Sequence, residues 1–344
     1  MQRLSAPAVP AVSVLLPYRD AGATLAEALD SMLAQRDVAL ELIAIDDGSR
    51  DGSADIVHAL AARDPRIVAL RTEGVGIAGA LNLALPIARA ELLARMDADD
   101  IALPMRLAAQ LDALSARPEI SALGTRVEAF ADAPGTVEQG MQRYVAWQNA
   151  LLEPRAHREQ LFVESPLCHP SVTLRRSALA AVGGYRAGPF PEDYDLWLRL
   201  DAAGFALAKL PDTLLRWRQS ERAATRTDPR YARERFIPLK APHLAARLCA
   251  RPRPLDVWGA GQTGRRLARA LEASGLHADR FIDIDPRKIG RIARGVPIDP
   301  LAALSPPGER WIVVALGARG ARDQARAYLT DRHYEEGTDY LCAS

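Results

Sequence analysis

The first 125 residues alternate short, β-rich apolar runs with stretches that suit helices, and this alternation is the strongest constraint on the fold. Four runs predict strands, at residues 12–16, 40–45, 67–70 and 91–96. Helices are predicted between them, at residues 24–35, 53–62 and 77–88. Strands separated by helices form βαβ units, whose parallel strands are covered by the helices. The sequence therefore predicts an α/β domain built on a mostly parallel sheet.

The middle of the chain, residues 126–225, shows a weaker pattern. A helix is predicted near residues 143–152, and an acidic helix start is predicted at Glu192. A helical stretch over residues 231–249 then runs into Arg251-Pro252-Arg253-Pro254, where two prolines in four residues indicate a linker. A length of 344 residues suits two domains.

We therefore predict one domain at residues 1–251 and a small Rossmann-like α/β domain at residues 252–344. The second begins with a strand at residues 255–258, followed by a glycine-rich loop and a helix to Ser274. Gly259, Gly261 and Gly264 fit Gly-x-Gly-x-x-Gly, and Asp283 follows the next strand at about the fingerprint distance of ~20 residues.

These four residues predict a ligand site for a nucleotide or NAD, because the start of the helix can receive a phosphate. No Tyr-x-x-x-Lys pair for hydride transfer is present in the sequence. A structural or interaction domain without a ligand, and a working oxidoreductase, are the alternatives for this part of the chain.

Composition narrows the partners and the compartment. The formal net charge is +1, so nothing global points to nucleic acid. Cys168, Cys249 and Cys342 lie far apart, which predicts neither a disulfide framework nor a zinc site. No apolar run is long enough to span a bilayer, and residues 1–9 lack a signal-peptide pattern. We expect a cytoplasmic protein, with peripheral association at the inner face of the membrane left open.

Two acidic clusters stand where predicted strands end. Asp46-Asp47-Gly48-Ser49 follows the second strand, and Asp97-Ala98-Asp99-Asp100 follows the fourth. Ligands of parallel sheets bind at this edge. An Asp-x-Asp pair can serve a diphosphate only through a hard divalent cation, Mg²⁺ or Mn²⁺. The first cluster can accept hydrogen bonds from a base or a ribose. A turn with a helix cap, and an acidic loop before the next helix, are the alternatives.

Seven ordered segments resemble family two of the inverting glycosyltransferases, which have the GT-A nucleotide-diphospho-sugar transferase fold. The segments, which span roughly residues 10–225, are VSVLLPYRDAGATL, LIAIDDGSRDGS, GIAGALNLAL, ARMDADDIALPMRL, CHPSVTLRRSAL, VGGYR and PEDYDLWLRL. The resemblance implies metal-dependent transfer of a sugar, with inversion, from a nucleotide diphosphate donor to an acceptor hydroxyl. The expected donor is a UDP-sugar.

The resemblance also implies roles for individual residues. Asp193 would be the general base and Asp99 the direct metal ligand. The implied donor-binding residues are Pro17, Arg19, Asp46, Asp47, Asn82, Asp97 and His169. Family members commonly have an aromatic residue at the position of Arg19, whose guanidinium can stack on the base instead. For Asp193 the alternative is an acidic helix N-terminus that suits the helix dipole.

A further part of the resemblance concerns Trp217, Arg218 and Arg222, which match a loop that often closes over the donor. Arginines there can contact the diphosphate, and a solvated basic face is the alternative. The family also implies synthesis of bacterial surface polysaccharide or glycoconjugate, with a glycan, a lipid-linked molecule or another hydroxyl compound as acceptor.

Two competing functions are a sugar nucleotidyltransferase and a nucleotide-binding module whose C-terminal domain carries the function. The first shares the fold but needs Gly-x-Gly-Thr-Arg after the first strand, where this chain has Pro17-Tyr18-Arg19-Asp20. The complete acidic motifs argue against the second, because a decayed transferase site has no need to keep them.

Overall fold

The computed structural model describes residues 9–132, 137–220 and 224–344. They group into two compact units. The first draws on Met1–Pro154, Leu167–Gly188 and Ala203–Asp228, and the second on Arg155–Pro166, Pro189–Ala202 and Pro229–Ser344. Among the described residues, no helix is both long enough and apolar enough to cross a membrane.

An eight-stranded sheet organises the first unit. Its strands are β1 Val12–Tyr18, β2 Leu40–Asp46, β3 Ile67–Arg71, β4 Leu92–Arg95, β5 Ile101–Ala102, β6 Ile120–Phe130, β7 Thr173–Arg175 and β8 Ala206–Arg218. The strand order is β3-β2-β1-β4-β7-β6-β8-β5. β1 to β4 are parallel, as are β6 and β8, whereas β7 and β5 run antiparallel to their neighbours. The predicted α/β class with a mostly parallel, GT-A-like sheet is confirmed.

Helices alternate with most of these strands along the chain, as in βαβ units. The helices of the first unit are α1 Leu25–Leu33, α2 Ser53–Ala61, α3 Gly76–Ala84, α4 Arg106–Ala116, α5 Gln139–Ala150, α7 Arg176–Ala181 and α9 Ala224–Thr227. Strand β1 is buried along its whole length, and Leu15 lies between Ile43 of β2 and Arg95 of β4. The carboxyl ends of β1, β2 and β4 therefore meet at one edge of the sheet.

The long pair of β6 and β8 carries no clear sequence pattern. β8 contains Pro211 and is exposed over residues 211–213, so it resembles a turn when read as sequence. Its pairing with β6 shifts register on both sides of Arg126. Tertiary pairing overrides the local signal in this part of the chain.

A six-stranded sheet organises the second unit. Its strands are β9 Leu255–Trp258, β10 Arg280–Ile282, β11 Ile292–Ala293, β12 Val296–Asp299, β13 Trp311–Val314 and β14 Tyr340–Cys342. The order is β11-β12-β10-β9-β13-β14, and every pair except β11 with β12 is parallel. The helices of this unit are α6 Pro154–Gln160, α8 Glu192–Ala202, α10 Arg233–Cys249, α11 Gln262–Glu272 and α12 Ala321–Asp331. The expected second α/β sheet is thus observed.

Two glycines let the loop between β9 and α11 approach the sheet closely. Gly259 has a φ of +124°, and a Cβ there would lie 2.4 Å from the carbonyl oxygen of Ala315. A Cβ on Gly264 would lie 1.8 Å from the carbonyl oxygen of Gly259. Both contacts are with backbone, which cannot move aside as a flexible side chain can.

We predict that Gly264→Ala destabilises the protein by about 1–3 kcal/mol, the usual cost of forcing extra volume into a packed region. Thermal unfolding of the full chain measures the effect. Gly261→Ala is the matched control, because a Cβ at Gly261 has no neighbour within 4 Å. Equal midpoints for the two variants would contradict the close approach of this loop to the sheet.

Candidate functional site

Three carboxylates converge at the carboxyl edge of the first sheet. Asp97, Asp99 and Asp100 follow β4, and their ligand oxygens all lie within 4.8 Å of one another. Because β2 flanks β1 on the other side, Asp46 and Asp47 stand at the same edge. The structure therefore brings the two predicted acidic clusters to one side of one sheet.

The electrostatics of this acidic group fit a divalent cation. Burial, followed by the charge of Asp97, raises the pKa of Asp99 to about 6. Burial also raises the pKa of Asp100 well above its usual range, as do the charges of Asp97 and Asp99. Among the described residues, the buried Oδ2 of Asp100 has no hydrogen-bond partner. A hard cation would supply the missing positive charge, and carboxylate oxygens are the ligands that Mg²⁺ and Mn²⁺ prefer.

Arg218, at the end of β8, holds the acidic loop in place. Its backbone N–H donates to Asp100 Oδ1 at 2.8 Å, and its Nε donates to the carbonyl oxygen of Asp99 at 2.6 Å. The rest of the guanidinium forms ion pairs with Glu27 and Asp132. The side chain is only 5% exposed, so Arg218 is not part of a solvated basic face. Arg222, assigned to the same loop, lies outside the described residues.

Two further side chains fix the same loop. Arg95 is buried at the end of β4, and its guanidinium donates to Asp97 Oδ1 at 2.5 Å. Thr24, just before α1, donates its hydroxyl to the carbonyl oxygen of Ala98 at 3.0 Å. Sequence reasoning missed Arg95, Thr24 and the contribution of Asp100. Of these three, only Asp100 could have been found from the sequence, because it directly follows the Asp97-Ala98-Asp99 motif.

Asp46 and Asp47 both accept hydrogen bonds from the surrounding backbone. Asp47 Oδ1 accepts from Thr72 Oγ1 at 2.6 Å and from the N–H of Val75 at 2.7 Å. Asp47 Oδ2 accepts from the N–H of Gly76, the first residue of α3, at 2.9 Å. Asp46 Oδ1 accepts from the Ser49 N–H at 2.7 Å, as the turn alternative expected. Asp47 thus joins the end of β2 to the start of α3.

Asp46 also carries an ion pair, and Arg19 stands near the loop that Asp47 organises. Arg71 approaches the buried Asp46 Oδ2 to 3.4 Å. The Arg19 side chain is 53% exposed, and its Nη1 lies 3.6 Å from where a Cβ on Gly74 would be. Pro17, by contrast, is buried within β1. The Arg19 guanidinium is therefore accessible to solvent at this edge and stands next to a residue without a side chain.

Asn82 and His169 are tied together through Tyr185. The Asn82 side chain donates to the Tyr185 carbonyl oxygen at 2.8 Å and accepts from the Tyr185 N–H at 2.9 Å. His169 Nε2 lies 3.3 Å from the Tyr185 hydroxyl oxygen. The side-chain amide of Asn82 therefore links α3 to the segment after the double glycine at 183–184.

Asp193 belongs to the second unit, where it lies in the first turn of α8. Its Oδ2 accepts a hydrogen bond from Ser165 Oγ at 3.4 Å. Burial, followed by the charge of Glu192, raises the pKa of Asp193 to about 7. The buried Glu192 accepts hydrogen bonds from the Tyr231 hydroxyl at 3.1 and 3.2 Å. Sequence reasoning identified Asp193 but missed Ser165 and Tyr231, which lie far from it in the chain.

The glycine-rich loop of the second unit is organised by Asp283. Asp283 Oδ2 accepts from the Ala260 N–H at 2.9 Å and from Lys288 Nζ at 3.0 Å, and Oδ1 accepts from the Asp285 N–H at 2.9 Å. The Asp285 and Ala260 N–H groups and the Lys288 ammonium lower the pKa of Asp283, although its burial acts in the opposite direction. The predicted residues Gly259, Gly261, Gly264 and Asp283 do therefore meet at one loop.

Comparison with known proteins places these features in a family. The model of the family described as "Glycosyl transferase family 2" matches residues 13–183. The chain is 30% identical over 234 residues to EpsE of Bacillus subtilis (strain 168), covering 66% of this chain and 80% of that protein.

A second relative and a solved structure agree with this match. The chain is 30% identical over 220 residues to the UDP-Gal:alpha-D-GlcNAc-diphosphoundecaprenol beta-1,3-galactosyltransferase of Escherichia coli, covering 63% and 77% of the two chains. The crystal structure of S. aureus TarS 1-349 in complex with UDP-GlcNAc is similar in fold. That match has a TM-score of 0.54 and 17% identity, and it covers 76% of this chain and 71% of that one.

We predict that Arg218→Ala lowers the affinity for Mn²⁺ by about 10-fold or more, as loss of a residue that positions metal ligands usually does. Isothermal titration with MnCl₂ measures the affinity. Arg216→Ala is the matched control. The Arg216 and Arg218 guanidinium carbons both lie over the Phe130 ring, at 4.2 and 4.6 Å from its centroid. Of these two side chains, only Arg218 contacts the acidic loop within the described residues. Equal affinities in the two variants would contradict the positioning role of Arg218.

Proposed function

The chain belongs to glycosyltransferase family 2, and on that basis we propose that it transfers a sugar, with inversion, from a nucleotide diphosphate donor to an acceptor hydroxyl. The proposal is supported most directly by the acidic group of Asp97, Asp99 and Asp100 at the sheet edge that also carries Asp46 and Asp47. A concentrated set of carboxylates serves a diphosphate only when a cation lies between them.

Asp99 is the proposed direct ligand of Mg²⁺ or Mn²⁺, with Asp97 and Asp100 beside it. When bound, the cation supplies positive charge that stabilises the departing diphosphate. The protein's own contribution is to keep three carboxylates close together against their mutual repulsion. Arg95 neutralises part of that charge at Asp97, and Arg218 fixes the backbone of the loop.

The donor base is proposed to bind between Arg19 and the loop held by Asp47. The Arg19 guanidinium can stack on the base, and Asp47 or Asp46 can accept a hydrogen bond from a base N–H or a ribose hydroxyl. Uracil is the proposed base. Pro17, buried within β1, is proposed to support the site of the base from below. Asn82 and His169 are proposed to shape the donor site through their contacts with Tyr185.

Asp193 is proposed as the general base that takes the proton from the acceptor hydroxyl. Inverting transfer needs a carboxylate on the acceptor side and a cation on the side of the leaving group. A pKa near 7 suits this role, because the group can then both accept and release a proton at neutral pH. Ser165 would orient the carboxylate, since its hydroxyl donates to Oδ2.

The biological setting is proposed to be bacterial surface polysaccharide or glycoconjugate synthesis. The Escherichia coli relative is named for a diphosphoundecaprenol-linked acceptor, which favours a lipid-linked acceptor over a free glycan here. A lipid-linked acceptor would place the enzyme in the cytoplasm at the inner face of the membrane.

The competing nucleotidyltransferase reaction would release pyrophosphate, whereas sugar transfer would release a nucleoside diphosphate. Analysis of the products therefore separates the two reactions.

We also propose that residues 252–344 form a Rossmann-like module joined at the proline-rich linker to the transferase module of residues 1–251. The five parallel strands, numbered in chain order within the module, run 3-2-1-4-5 across the sheet, which is a doubly wound order. The close backbone approach at Gly259 and Gly264 supports the same organisation. A nucleotide or NAD is the proposed class of ligand.

We predict that Asp193→Asn leaves donor binding nearly unchanged but lowers kcat by ~10²-fold or more, because a general base contributes that much. In the unaltered enzyme, kcat should rise with pH through about 7, since the base acts only when deprotonated. Steady-state rates from pH 5.5 to 8.5 measure kcat and its pH dependence, and titration of the donor measures its binding. Loss of donor binding equal to the loss of kcat would remove Asp193 from this role.

We predict that Asp99→Ala raises the Mn²⁺ concentration required for half-maximal turnover by about 10-fold or more, because a direct ligand is lost. The measurement is the transfer rate as a function of MnCl₂ in metal-stripped buffer. Asp112→Ala is the control, since Asp112 is an exposed carboxylate on α4. Full activity of Asp99→Ala in excess chelator would end the metal proposal.

A further inference from the structure

We infer that the second unit contains its own binding site for a nucleoside diphosphate or its sugar ester, in a cavity between α10, the start of α11 and the end of β13. This inference rests on the proposed Rossmann-like organisation of residues 252–344, against which α10 of the same unit packs. It concerns a site other than the Asp97–Asp99–Asp100 group, and it does not depend on the transfer reaction.

The cavity has a volume of about 970 Å³, large enough for a nucleotide. One wall comes from Gln262 and Thr263 at the start of α11 and from Leu316 and Gly317 just after β13. β9 and β13 are neighbours in the sheet, but the chain continues from β9 to β10 on one side and from β13 to β14 on the other. Parallel sheets bind ligands at such a switch point, beyond the carboxyl ends of the two strands. The opposite wall is α10.

The charges that line the cavity favour an anion with more than one negative charge. Its cationic side chains outnumber its carboxylate side chains by four to two: Arg233, Lys240, Arg266 and Arg269 against Glu164 and Glu234. Arg266 and Arg269 lie one turn apart on the exposed face of α11. Neither forms an ion pair within the parts of the chain that the structure describes. Two guanidinium groups on one face of the helix, the nearer of them one turn from its start, match a diphosphate.

Lys240 is a buried cation in the same cavity lining. It is 4% exposed, and its ammonium group donates to the carbonyl oxygens of Phe162 at 2.7 Å and Val163 at 3.3 Å. An ammonium has three N–H groups, so one remains for which no acceptor is found among the described residues. Burial lowers the pKa of Lys240 to about 8, and a neighbouring anion would favour its charged form.

The α10 wall supplies both apolar surface and hydrogen-bond acceptors. Phe236 and Ile237 line the cavity, and an aromatic side chain can pack against a base. Pro238 and Pro242, which also line it, lack the N–H groups that the carbonyls of Glu234 and Pro238 would meet in an α-helix. Two carbonyls of this helix therefore lack their i+4 donor, and we assign them as acceptors for a base or sugar that carries N–H or O–H groups.

The environment of Asp283, which follows β10, is unfavourable for a dinucleotide bound across both halves of the sheet. In that mode the acidic residue after the second strand accepts from a ribose hydroxyl. Here Asp283 is 6% exposed and already accepts from Ala260, Lys288 and Asp285. The ligand is therefore assigned to the side of β13 and α10 alone, which suits one nucleotide better than two.

The test uses the full chain with Asp99→Ala, in excess chelator, so that metal-dependent donor binding does not contribute. UDP, GDP, UDP-GlcNAc and NAD are titrated separately by calorimetry. We expect one equivalent of at least one of the first three to bind, with NAD binding at least about 10-fold more weakly. Absence of binding by all three, or tighter binding of NAD, would overturn the inference.

Variants then locate the binding. Arg233→Glu and Arg266→Glu, from opposite walls, should each weaken binding by about 10-fold or more, because both place a carboxylate near the phosphates. Arg235→Glu, an equal charge change on an exposed residue two positions along α10, should leave binding unchanged. Equal effects of Arg233→Glu and Arg235→Glu would overturn the assignment. Loss of transfer activity in Asp99→Ala with this binding retained would separate the inference from the proposed reaction.

Discussion

Mutual repulsion among Asp97, Asp99 and Asp100 is the constraint around which the first unit is arranged. Burial raises the pKa values of Asp99 and Asp100, and the charges of the neighbouring carboxylates, whose ligand oxygens lie within 4.8 Å of one another, raise them further. The sheet edge tolerates the three carboxylates because Arg95 lies against one carboxylate and Arg218 fixes the loop backbone. A site that stores this much negative charge is ready for a cation, and through the cation for a diphosphate.

A second feature of the structure is that backbone amides hold two aspartates that stand at strand ends, Asp47 in the first unit and Asp283 in the second. Asp47 accepts from the N–H groups of Val75 and Gly76, and Asp283 accepts from those of Ala260 and Asp285. In both places an aspartate at a strand end organises the loop that leads into the next helix. Because these bonds use carboxylate oxygens, each aspartate shapes the loop that follows its strand.

The sequence predicted the strand–helix alternation well, because hydrophobic periodicity reports which face of each element is buried. β1 to β4 and α1 to α3 all appear close to their predicted positions. It did not predict β6 or β8. Pro211 interrupts the local pattern of β8, and only the pairing with β6 makes this segment a strand. Local pattern carries no information about a partner strand 85–88 residues away in the chain.

The sequence by itself determined the α/β class, the family and the position of the acidic clusters at strand ends, because each depends on residue types in a local order. The tertiary structure alone decided which distant groups meet those clusters. Arg218 reaches Asp99 across 119 residues of chain, and Ser165 reaches Asp193 across 28. Hydrogen bonds between such residues depend on how strands and helices pack in three dimensions, and no spacing within one segment encodes that packing.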